Sequence, residues 1–61
     1  MTGSELAALP AGTLIRHVGD TGEVVHPGRT THILFPGIGT ILVDTDSKVW
    51  QDIISEMEVE E

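Results

Sequence analysis

Residues 17–28 read HVGDTGEVVHPG, and the way this stretch is divided decides how the rest of the chain is parsed. Gly19-Asp20 is a turn signal between apolar, β-branched segments, and Pro27-Gly28 is a second one. One strand therefore ends before Gly19, and another runs through Thr21-Gly22-Glu23-Val24-Val25-His26. Gly19 and Gly22 are expected to take positive φ where the chain bends sharply, with Val24 returning a side chain to the core. Proline followed by glycine suits a type II turn, whose twist does not match a two-residue hairpin. The loop after His26 is accordingly expected to be longer than two residues.

The same texture extends to both sides. GTLIRHV (12–18) supplies the first strand, THILF (31–35) the third and TILVD (40–44) the fourth, with PGIG (36–39) and DTDS (44–47) as turns. In the last stretch, SKVWQDIISEMEVEE, Val49, Ile53 and Met57 recur every four residues, whereas EMEVE alternates with period two. These patterns predict a short helical turn over 48–54 and a closing strand over 56–60; one longer helix over 48–57 is the alternative. Ahead of the strands, residues 1–11 form an N-terminal arm expected to be loosely held, with a turn of helix from Ser4 to Leu9 capped by Ser4 and stopped by Pro10. The expected fold is all-β: a five-stranded barrel over residues 12–61, because closing a small sheet removes its exposed edges.

The segment VGDTGEVV resembles the first hairpin of SH3-like small barrels, KOW-type modules among them. SEMEVEE, following a turn that contains a tryptophan, is similar to the way such barrels close, so the resemblance covers residues 12–60. It implies a fold more than a function, since this architecture carries many unrelated roles. KOW modules of transcription and ribosomal proteins imply contact with RNA or polymerase. Signalling SH3 domains imply a groove of several aromatics for proline-rich peptides. This chain has one Phe, one Trp and no Tyr.

Composition narrows the function classes. The chain has 61 residues and no cysteine, so disulfides and thiol chemistry are excluded. No apolar run approaches the roughly 18 residues of a membrane span, and no basic region followed by an apolar stretch opens the chain; a soluble cytoplasmic protein is expected. The formal charge is −7, and from Asp44 onward seven acids face one base, Lys48. Such a balance opposes phosphate backbones, so direct nucleic-acid binding is not expected.

No catalytic signature emerges. His17, His26 and His32, with Asp20, are the residues from which a metal site could be assembled, His26 and His32 facing each other across the PGRT loop with His17 on a neighbouring strand; three solvent-facing strand residues are the expected reading, and no metal is assigned. Asp44 and Asp46 open like a calcium loop, yet Val49 and Ser55 occupy the positions where glycine and glutamate are required. GRTTH and PGIGT lack the lysine and the strand–loop–helix setting of a phosphate loop. No cofactor is expected.

Alternation carries more. With Ile33, Phe35, Ile41 and Val43 inward, Leu34 and Leu42 face outward on adjacent strands, joined by Leu14 or Ile15. An outward apolar stripe on so small a domain marks an interface unless Leu6 and Leu9 of the arm fold back over it. The sequence therefore points to a non-enzymatic binding or accessory module that docks on a larger protein, such as a bacterial accessory subunit or a small bacteriophage protein engaging a host factor. Leu34, Leu42 and Trp50 would supply apolar contacts, and Asp52, Glu56, Glu58 and Glu60 would steer it toward a basic surface. The alternatives are a homo-oligomeric structural protein and an acidic nucleic-acid mimic that inhibits a basic protein.

Overall fold

A computed structural model describes residues 1–60; Glu61, the last acid of the C-terminal run, lies outside the described residues. The element order is α1 (Gly3–Ala7), β1 (Leu14–His17), β2 (Asp20–His26), β3 (Thr30–Phe35), β4 (Gly39–Asp44), α2 (Lys48–Ser55) and β5 (Glu58–Val59). The strands form one antiparallel sheet in the order β4-β3-β2-β1-β5. The fold is thus mainly β, with five antiparallel strands and two short helices.

Two features depart from the expected barrel. The sheet is not closed: β4 and β5 are its two edges, and among the described residues no pairing joins them. β5 has only two residues, Glu58 opposite Arg16 and Val59 opposite Ile15 of β1, which leaves little length for a second ladder with β4. α2 is two turns long rather than one. Ser47 caps it, accepting from the Val49 N–H at 3.3 Å, and it ends with Glu56 as C-cap, so the single longer helix over 48–57 does not form.

Alternation places one set of side chains on a single face. Ile15, Val24, Ile33, Phe35 and Val43 point inward, and Leu6 of α1, Ile54 of α2 and Met57 close over them. All eight are buried, and Met1, Leu9, Ile41, Trp50 and Ile53 pack around them. Two hydroxyls share this interior, and each has a carbonyl partner: Thr31 Oγ1 donates to the Gly28 oxygen and Thr45 Oγ1 to the Arg29 oxygen, both at 2.8 Å.

The arm is packed into this core. Thr2, not Ser4, caps α1: its hydroxyl accepts from the Glu5 N–H, and the Glu5 carboxylate accepts from the Thr2 N–H. The earlier start lets Leu6 reach the interior. Gly3 lies so close to the Thr45 carbonyl oxygen that a Cβ there would collide with it. The arm therefore covers the inner face, and the outer stripe stays open.

The decisive stretch contains a correction. The β1–β2 connection is a two-residue hairpin in which Val18 (φ 48) and Gly19 (φ 85) both take positive φ, as a type I′ turn requires. Gly22 does not take positive φ. It sits inside β2 because Ile33 and Phe35 lie over it, and an added Cβ would meet them at 2.7 and 2.9 Å. The loop after His26 has three residues, Pro27–Arg29, and so exceeds two as expected. A bulge at Val25, unforeseen in the sequence, shifts the β2–β3 register between Val24 and His26.

Two substitutions test these assignments by urea unfolding. Val18→Asn is expected to raise stability by about 1 kcal/mol, because it relieves a β-branched residue from the left-handed region. Leu6→Ala is expected to lower it by about 2–5 kcal/mol. A neutral Leu6→Ala would show that the arm contributes nothing to the core.

Candidate functional site

An apolar groove of about 210 Å³ opens between the inner face of β3 and β4 and the helix α2. Its sheet-side wall is Phe35, Ile41 and Val43, inward-facing residues of β3 and β4. Opposite stand Trp50 and Ile53 of α2 with Met57 just beyond it, and Ile38 of the β3–β4 turn overhangs one end. Helical spacing explains the opposite wall: positions 50, 53 and 54 share one face of α2, Ile54 pointing into the core and Trp50 and Ile53 toward the groove. Ile38 remains 64% exposed despite its size.

Polar groups stand at one end only. His17 and Asp20 face each other across the β1–β2 hairpin and both line the groove. His17 Nε2 is buried without a hydrogen-bond partner among the described residues, and its nearest acid is Glu56 Oε2 at 3.5 Å. Among the described residues Asp20 makes no ion pair. The two arginines are engaged within the chain: Arg16 with Glu58 at 3.0 Å, and Arg29 with Asp46 at 3.0 Å and Asp44 at 3.8 Å. Pairs this exposed contribute little to stability, and among the described residues they leave Glu5, Asp20, Glu23, Asp52 and Glu60 without an ion pair.

The sequence-derived site residues separate into three groups. Leu34 and Leu42 lie on the outer face, 42% and 55% exposed, as neighbours on a diagonal: Leu34 is opposite Thr40, and Leu42 is opposite His32. Leu14, 42% exposed, extends the stripe across Glu23 of β2, while Ile15 is buried. Glu58 and Glu60 border this face, Glu58 through Arg16 and Glu60 by accepting from Thr21 Oγ1 at 2.8 Å. Trp50 is on the other side of the sheet, half-buried against the core and lining the groove, so it does not join Leu34 and Leu42. Glu56 stands near His17 at the groove's polar end, and Asp52 is exposed on α2.

The groove itself was missed by sequence reasoning. Ile38 inside PGIG was its only local signal, a large apolar residue at a turn tip. The histidines do not assemble. His26 and His32 meet edge to face at 5.0 Å across β2 and β3, His17 belongs to the inner face at the hairpin, and no group of three metal-ligating side chains converges among the described residues. No helix among the described residues is long and apolar enough to cross a membrane. No family model matches the chain, and comparison with curated proteins and with solved structures gave no match.

Neighbouring residues on β4 test the facing. Leu42→Glu, alone or with Leu34→Glu, should leave the protein folded with a loss of no more than about 1 kcal/mol. Val43→Glu should unfold it, since it buries an unpaired charge. Far-ultraviolet circular dichroism with urea titration reads both, and the reverse pattern would invert the two faces.

Proposed function

We propose that this chain is a non-enzymatic protein-binding module, built on an SH3-like small barrel left open along one seam, and that it docks on a larger protein by taking up side chains from it. The observation that carries this reading is the groove between β4 and α2, which the half-buried lone tryptophan and a 64% exposed Ile38 both line. An apolar concavity of this kind, with a large aromatic in its wall, is where binding energy concentrates. Its size favours side chains over a whole small molecule, for which pockets run from about 300 Å³ upward. The return of β5 to β1 supports the barrel-type architecture, because a sheet that closes must bring its last strand back to its first.

The partner's chemistry follows from charge. The net charge of −7 and the unpaired Asp20 at the groove mouth favour a segment that is apolar at its contact and flanked by Lys or Arg. The acidic run adds long-range attraction to such a partner, although Glu58 and Glu60 are also engaged within the chain. A second reading, a homo-oligomer that buries the outer stripe between copies, is favoured by the exposure of Leu14, Leu34 and Leu42. It requires a light-scattering mass above the monomer that Leu34→Glu with Leu42→Glu returns to monomer.

Selection from a random dodecapeptide library on the immobilised protein tests the main reading. Enriched peptides should combine apolar residues with Lys or Arg. Ile38→Asp, at an exposed position, should weaken their binding about tenfold or more. Leu34→Glu with Leu42→Glu should leave it unchanged. If no peptide is enriched, or if binding ignores Ile38→Asp, the groove is not the docking site.

A further inference from the structure

β4 has an unpaired edge and also supplies Ile41 and Val43 to the groove wall, and from this juxtaposition we infer how the partner binds: an extended, basic-flanked peptide adds to β4 as a sixth strand and fills the seam of the sheet. The inference rests on the protein-binding reading and specifies its geometry.

β4 is an edge strand of six residues, Gly39–Asp44, paired with β3 along its whole length and, among the described residues, with no strand on its other side. Every second residue of an antiparallel edge strand directs its N–H and C=O away from the sheet, so β4 offers an unused ladder about 20 Å long. Natural edges are usually blunted by lysine, proline or an inward-pointing charge. β4 reads GTILVD and has none of these: its one charge, Asp44, is at the end and within reach of Arg29. Nor does β5 pair with this edge among the described residues; its two residues pair with β1.

The two sides of an added strand would meet different surroundings. A strand pairs about 4.8 Å from its neighbour and shares its pleat. Side chains on the inward side would therefore lie beside Ile41 and Val43 and descend toward Trp50 and Ile53, into the groove. Those on the outward side would continue the row of Thr40 and Leu42. One extended segment would thus cover the groove and lengthen the outer stripe together. Backbone pairing supplies affinity in this mode, and the pockets for alternate side chains supply specificity.

Charge selects the occupant. A second copy of the chain could in principle offer its own β4, but that pairing brings two bodies of charge −7 together along one seam. A peptide carrying Lys or Arg gains from the same field, and it meets Asp20 where the β1–β2 hairpin flanks the groove. The occupant is therefore an extended peptide segment, apolar at alternate positions and basic at its flank.

The test uses a peptide enriched in the library selection, bound to the full chain. Each backbone amide of the peptide is N-methylated in turn, and affinity is measured by the fluorescence of Trp50. Strand addition predicts loss of about tenfold or more at every second position and little change at those between. Amide hydrogen exchange should slow at alternate residues of β4 when the peptide is bound. Binding that persists with no period-two pattern and no new protection in β4 would overturn strand addition while leaving the module reading intact; a three-to-four-residue pattern would mean that the peptide binds as a helix. Concentration-dependent dimerisation that the peptide competes away would assign the edge to a second copy and overturn the proposal as well. Failure to enrich any peptide removes the module reading, and this inference with it.

Discussion

The burial of one face of the sheet is the constraint on which the rest of this molecule depends. A chain of 61 residues without cysteine has no covalent staple, so its stability rests on a single small core. Ile15, Val24, Ile33 and Val43 come from four consecutive strands, and period two sends all of them to the same side. A five-stranded sheet needs a cover on that side. Leu6 and Ile54 provide it from two helices that are distant in sequence and adjacent in space. Gly22 belongs to the same arrangement, since removing its side chain lets Ile33 and Phe35 settle across β2.

That cover is incomplete, and its incompleteness makes the groove. α1 has five residues and α2 eight, enough to seal the middle of the inner face but not its margin along β4. Trp50 and Ile53 turn toward the gap from one side, Ile41 and Val43 from the other, and β5 is too short to fill it. β4 thus takes part in both features, as the unpaired edge of the sheet and as one wall of the apolar concavity. Among the described residues Asp20 is the one acid that lines the groove, and the two arginines of the chain are engaged elsewhere, with Glu58, Asp44 and Asp46.

Much of this organisation was legible in the residues. β-branched runs broken by Gly19-Asp20, Pro27-Gly28, PGIG and DTDS located four strands, and the change from period four to period two placed a helix before a closing strand. The outward positions of Leu34 and Leu42 followed from alternation alone. The capping residue of α1 was misplaced because Thr2 and Ser4 are both good caps, and only the reciprocal contact with Glu5 selects Thr2. Val18 in the left-handed region contradicts its own preference. The strands on either side hold it there, which local propensity cannot reveal.

The sequence by itself determined the strands, their facing and the sign of the surface, because these follow from local periodicity and from a count of charges. Only the tertiary structure decided that the arm enters the core rather than covering the outer stripe, that Trp50 parts company with Leu34 and Leu42, and that the sheet stays open between β4 and β5. Each of these depends on how far one element reaches toward another that is remote along the chain. Leu6 and Ile54 share one buried core, and β5 pairs with β1 and stops after two residues. Such distances are set by the packing of the whole core, and no window of the sequence contains them.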